Sequence, residues 1–163
     1  MLYKPPFELD SKAVVKAISV DPHNGKQSSV ANRAFDIPTT SFEVEFPTDQ
    51  MSRRMFDDNG FTICYLNENK SYIELDLNEN MNISGIRYLP SQVRDADQHI
   101  ANYDICVDGR LVHRGEFSNI SNNPIEQVVR FEPTNGKRVR FVATRFTNDA
   151  PQGAVAEFSV ITD

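Results

Sequence analysis

The sequence predicts an all-β fold, an antiparallel sandwich or jelly roll, on three observations. Apolar and polar residues alternate over short runs, most clearly at Tyr72-Ile-Glu-Leu-Asp-Leu77, where Ile73, Leu75 and Leu77 alternate with Tyr72, Glu74 and Asp76. That period of two gives a strand one face for a core and one for water. About eight such runs recur at short intervals, separated by Gly, Pro, Asn and Asp turn chemistry. No segment sustains an apolar repeat at helical spacing.

Residues 1–38 read as a short β-rich arm with runs at Leu2-Tyr3, Phe7-Glu-Leu9, Ala13 to Val20 and Ser29 to Ile37. Asp21-Pro-His-Asn-Gly25 is a turn by composition. So few short strands bury too little surface to stand alone, so the arm needs a partner, either the following domain or chain before Met1. Pro38-Thr-Thr40 is the expected junction, because the residue before a proline is pushed out of helix. Residues 39–163 form the main domain. Phe42 to Phe46 alternates as a strand, whereas Pro47 to Asn69 loses the period and reads as a long loop, the kind that is functional or disordered. Tyr72 to Leu77 and Ile83 to Leu89 are the next strands, the second stopped by Pro90. Ser91 to Asn102 reads as loop. Tyr103 to Val107, the Asp108-Gly109 turn and Leu111 to Phe117 make a hairpin. Ile125 to Phe131 and Lys137 to Arg145 make a second, turned by Pro133-Thr-Asn-Gly136, with Val139, Phe141 and Ala143 inward and Arg138 and Arg140 outward. Ala154 to Ile161 is the last strand.

Composition narrows the function. A chain of 163 residues fits one domain and an appendage. Hydrophobic residues make up 39% but never run long enough to cross a bilayer, so no membrane insertion is expected. A net charge of −6 argues against nucleic acid and against anionic membrane surfaces. Cys64 and Cys106 could form one bridge at most, which leaves the redox compartment open. Met1-Leu-Tyr-Lys-Pro-Pro6 lacks the apolar core of a signal peptide, which means little if the natural start lies earlier. His23, His99 and His113 have no Cys or carboxylate at zinc-ligand spacing. Glu74 and Asp76 share a strand face, where neighbouring Arg and Lys are better partners than a glycosidic bond; glycoside hydrolysis needs two carboxylates across a cleft.

From about Ser41 onward the chain resembles a discoidin domain, also called the coagulation-factor type C domain. The resemblance rests on Phe56-Asp-Asp-Asn-Gly-Phe-Thr62, Tyr72 to Leu77, Ile83 to Pro90, Tyr103-Asp-Ile-Cys-Val-Asp-Gly109, Lys137-Arg-Val-Arg-Phe141 and Ala154-Val-Ala-Glu-Phe158, in that family's order and spacing. It implies a galactose-binding-like jelly-roll β-sandwich of the kind that serves bacterial glycosidases as a carbohydrate-binding module. Tyr3-Lys-Pro-Pro-Phe-Glu-Leu9, Val15-Lys-Ala17, Gly25-Lys-Gln-Ser28 and Phe35-Asp-Ile37 resemble the end of the small sandwich of chitobiases and related hexosaminidases. Together they imply a non-catalytic accessory of a secreted, periplasmic or cell-surface glycoside hydrolase. Its partners would be a glycan or small sugar and the parent enzyme's domains in the same chain. The alternative is a structural module that packs against the catalytic domain without binding sugar.

The resemblance also implies two sites. The first is structural calcium, which takes several oxygen ligands in an irregular shell. Asp57 and Thr62 would lend side-chain oxygens, Arg54 and Asn59 carbonyls, and Ala156 and Glu157 would close the shell from the last strand. Asp58 stands where the family has glycine. The second is a sugar site on loops at one end of the sandwich, where an aromatic ring stacks on the sugar and polar groups meet its hydroxyls. Galactose-binding relatives use a Trp–His pair, an Arg after the strand-ending proline and a late aromatic. Here Cys64, Tyr65 and Ser91 fill those early positions, and Thr147 to Gly153 holds no aromatic. The substitutes at hand are Tyr65 for stacking, with Gln92, Arg94, Asp97, His99 and Asn148 for the hydroxyls.

Overall fold

The computed structural model of the chain describes residues 7, 9, 12–37 and 42–163. The Leu2-Tyr3 run, the segment from Tyr3 to Pro6, Glu8 and the Pro38-Thr-Thr40 junction lie outside them. The strands of the described residues pair antiparallel throughout, as alternation and turn chemistry predict.

The arm is a two-stranded hairpin, β1 (Ala13–Ala17) and β2 (Ala31–Phe35), paired from Ala13↔Phe35 to Ala17↔Ala31. Its turn lies at Asp21–Gly25, closed by Gly25 N–H donating to the Asp21 carbonyl at 2.9 Å, with Gly25 at φ 72°. That left-handed conformation costs glycine nothing.

The main domain runs β3 (Glu43–Phe46), a 3₁₀ helix (Gln50–Phe56), β4 (Cys64–Asn67), β5 (Tyr72–Leu89), β6 (Ile100–Val107), β7 (Arg110–Glu116), β8 (Gln127–Phe146), β9 (Gln152–Val155) and β10 (Glu157–Thr162). Six strands form one sheet in the order β10-β5-β8-β6-β7, with β3 also on β5, and β4 pairs with β9 separately. Two expectations are corrected here. The supposed loop from Pro47 to Asn69 holds the 3₁₀ helix and β4, because Ser52 and Met55, then Cys64 and Leu66, are buried at spacings too short to show as a period. The supposed turn at Pro133–Gly136 is no turn. Thr134, Asn135 and Gly136 pair with Ile83, Asn82 and Met81, so both halves of β8 continue as one strand along β5.

The β5–β8 ribbon changes register between Asp76 and Met81 and again between Ile83 and Gly85. Its first half is flanked by β3 and β6, its second by β10. Strands that bend at such irregularities supply both layers of a sandwich. The core confirms it: Phe141 of the first half meets Phe158 of β10 at 5.4 Å and Tyr88 of the second half at 6.2 Å between ring centroids. Ile73, Leu75, Leu77, Ile86 and Ile105 fill the space around them, all fully buried. The Tyr88 hydroxyl donates to the Ala154 carbonyl at 2.8 Å and accepts from Ile100 N–H at 3.2 Å, so a buried polar atom is satisfied and ties β5 to β9 and β6.

The outward residues behave as their chemistry requires. Arg140 pairs with Glu74 at 2.8 Å, and Lys137 and Arg138 lie 3.2 and 3.8 Å from Asp76. Asp108 and Gly109 both take positive φ, the two-residue hairpin turn that the sequence predicts. Cys64 and Cys106 are both unpaired. No helix among the described residues is long and apolar enough to cross a membrane.

Candidate functional site

The 3₁₀ helix aims the first site. Asp49 caps it, accepting from Ser52 N–H at 3.1 Å, and buried Met55 anchors it to the core, so the chain leaves at Asp57 in a fixed direction. Thr62 Oγ1 then lies 2.9 and 2.8 Å from the two Asp57 carboxylate oxygens and 2.9 Å from the Asn59 carbonyl. Asn59 N–H donates to Asp57 Oδ1 at 3.0 Å and to Glu157 Oε1 at 2.6 Å, tying the loop to β10 across 98 residues of chain. Asp58 takes φ 60°, the backbone that the family's glycine would supply, and its carboxylate pairs with Arg33 of the arm. Asp57, Asn59, Thr62 and Glu157 are thus brought together. Arg54 precedes them in the helix, and Ala156 adjoins Glu157, its N–H held by the Leu89 carbonyl at 2.9 Å.

Burial pushes the Glu157 carboxyl up to about 7, assisted by the negative charges of Asp57 and Asp58 and only partly offset by the Asn59 hydrogen bond. Among the described residues no cluster of three or more His, Cys, Asp or Glu side chains is set to hold a metal. The donor set gathered here is two carboxylates, a hydroxyl and the Asn59 carbonyl. That set suits a hard cation such as calcium and does not suit zinc.

The second set divides. Tyr65 stands on β4, 37% exposed, next to buried Cys64. It is registered with Ala154 of β9, whose N–H donates to the Gln98 carbonyl at 2.8 Å. The Asp97 carbonyl accepts from Thr147 Oγ1 at 2.5 Å and faces Asn148 Nδ2 at 3.5 Å. Asp97 and Asn148 therefore adjoin, whereas Tyr65 is linked to them only through the intervening strand β9. Arg94 does not join them: its side chain is 94% exposed, with Asp95 at 3.7 Å as its partner. Gln92 is engaged elsewhere, donating through Nε2 to the Pro90 and Pro124 carbonyls at 2.9 and 2.8 Å, while its N–H meets the Gly60 carbonyl. His99 corrects the expectation outright. It is fully buried, neither ring nitrogen has a hydrogen-bond partner among the described residues, and it cannot reach a ligand's hydroxyls. Its backbone does the positioning instead, exchanging bonds of 2.9 Å with Thr147. Gln98, Thr147 and Gln152 were not singled out by sequence. Gln152 Nε2 donates to Gln98 Oε1 at 3.0 Å, and nothing in their local pattern marks either as a loop brace.

Residues 39–158 match the model of the F5/8 type C domain family. The chain belongs to the F5/8 type C domain family. Solved structures share its jelly roll at low identity. CBM32-3 from a family 31 glycoside hydrolase of Clostridium perfringens is 20% identical, with a TM-score of 0.64, covering 79% of this chain and 96% of that one. CpGH89CBM32-5 of the same organism, solved with GalNAc-β-1,3-galactose, is 21% identical at a TM-score of 0.61, covering 77% and 98%. The C-terminal domain of a chitobiase from Bacteroides fragilis is 14% identical at 0.59, covering 79% and 98%. No curated protein matches the chain.

Proposed function

We propose that this F5/8 type C domain is a non-catalytic carbohydrate-binding module, accessory to a secreted, periplasmic or cell-surface glycoside hydrolase of the chitobiase or β-hexosaminidase kind. The observation that carries the reading is the exposed Tyr65 ring on β4, one strand away from the loops that hold Asp97 and Asn148. A half-exposed ring near polar loop groups is what a sugar's apolar face and hydroxyl rim require. A module of the same fold, CpGH89CBM32-5, was solved with GalNAc-β-1,3-galactose, and the chitobiase domain of Bacteroides fragilis shares the fold as well. Glu74 and Asp76 are engaged by Arg140, Lys137 and Arg138, which supports an accessory role over a catalytic one. Tethering to glycan would raise the parent enzyme's effective substrate concentration.

The oxygen set of Asp57, Asn59, Thr62 and Glu157, with carbonyls of Arg54 and Ala156, would hold structural calcium and pin the loop to β10. Calorimetric titration with galactosyl, N-acetylhexosaminyl and fucosyl glycans, with and without calcium, tests the reading. Binding to at least one class is expected, weakened about tenfold by Tyr65→Ala; silence across all three classes overturns it.

One observation favours the alternative, a module that packs on a neighbouring protein domain. Val14, Ile18, Val20 and Val30 are 60%, 46%, 51% and 54% exposed on a single hairpin, more apolar surface than two strands in water need display.

A further inference from the structure

Between the β1–β2 hairpin and the sandwich lies a cleft of about 1200 Å³, lined by none of Tyr65, Asp97 and Asn148. Two ion-pair sets join its walls. Arg33 of β2 pairs with Asp58, and Asp36 accepts from Arg87 Nε at 2.6 Å while Arg87 Nη1 reaches Glu126 at 3.3 Å. Asp36 is 7% exposed, so this second clamp is largely shielded from water and is less weakened by it than a surface pair would be. The cleft is therefore held open by specified contacts between two elements. Interfaces of this kind are where ligand sites most often form.

Its lining has the character of a sugar site. Phe35, Phe42 and Phe56, all part-buried, supply apolar ring surface, and Phe61 adds a ring that is 70% exposed and stacks on no other aromatic among the described residues. An exposed ring on the wall of a cleft is free to meet a ligand. Ser159 and the Arg33–Asp58 pair stand among these rings as donors and acceptors. Charge selects further: two guanidinium groups, Arg33 and Arg87, face four carboxyl groups, Asp36, Asp58, Glu126 and Glu157. Such a surface disfavours a sialylated or uronic ligand.

We infer that this cleft is a second carbohydrate-binding site, for a short neutral glycan, with Phe61 as its stacking ring and the Arg33–Asp58 pair as hydroxyl partners. It is independent of the loop-end site, and the two readings stand or fall separately. The test is amide chemical-shift mapping of the full chain, titrated to about 5 mM with N,N′-diacetylchitobiose and GalNAc-β-1,3-galactose as neutral probes and sialyllactose as an anionic one. A neutral probe is expected to perturb residues 33–36 and 58–61, sialyllactose at least about tenfold more weakly. Phe61→Ala is expected to abolish these perturbations while the rest of the spectrum stays folded, since the ring is exposed. Shifts confined to the loops of Tyr65, Asp97 and Asn148, or cleft shifts that survive Phe61→Ala, overturn the second site. Shifts confined to the cleft support it and overturn the loop-end reading. Silence with every probe overturns both, and equal binding of sialyllactose overturns the selection by charge.

Discussion

Glu157 accepts a hydrogen bond from Asn59 yet keeps its proton to about pH 7, because burial outweighs that bond and the Asp57 and Asp58 charges add to it. A folded pKa raised above the ordinary 4.5 means that the folded state binds the proton more tightly than the unfolded chain does. The stability it confers is complete below about pH 4.5 and is lost as pH rises through about 7. Urea denaturation of the metal-free chain should therefore show Glu157→Gln gaining on the parent at pH 8, by on the order of 1 kcal/mol once solvent screening of a half-buried group is allowed for, and matching it at pH 4. Equal curves at both pH values would contradict this. Bound calcium would take the proton's place and remove the loss at high pH. His99 titrates the opposite way. Burial pushes its ring below the usual 6.5, against the weaker pull of the Asp97 carboxylate, so its contribution fades as the medium turns acid.

At the scale of elements the ribbon of β5 and β8 governs what can be changed. Gly85 sits at a register shift, where the first carbon of any side chain would overlap the Val129 carbonyl oxygen and crowd Ile161 at 3.3 Å. The obstacle is backbone of a paired strand, which cannot rotate away. Gly85→Ala should cost about 2–3 kcal/mol in chemical denaturation, and a loss below about 0.5 kcal/mol would show that the strands separate freely there. The same ribbon shows where sequence reading stopped. Alternation at Ile73, Leu75 and Leu77 identified its first half, and Asp108-Gly109 identified the β6–β7 turn, because both signals are local. Pro133-Thr-Asn-Gly136 carries equally good turn chemistry, but its cross-strand pairing with Met81 to Ile83 overrides it. No local pattern contains that partner.

Across the whole molecule, the Asp57–Thr62 loop was readable because its spacing repeats a family pattern, although its tie to Glu157 spans 98 residues. The loop end was readable only in part. Asp97 and Asn148 meet while Tyr65 stands a strand away, and burial of His99 and the inward bonds of Gln92 follow from tertiary packing that polarity alone does not encode. The cleft was unreadable, since it exists only where the arm meets the sandwich.

Two strands that serve both layers also decide how the domain comes apart. Neither layer can melt alone, for each shares uninterrupted backbone with the other through β5 and β8. Unfolding of the sandwich should be all-or-none, with the amides of Leu75 and Ile86 exchanging with solvent at one common free energy. Separate exchange energies for those two amides would contradict it. Such a body withstands load as a unit.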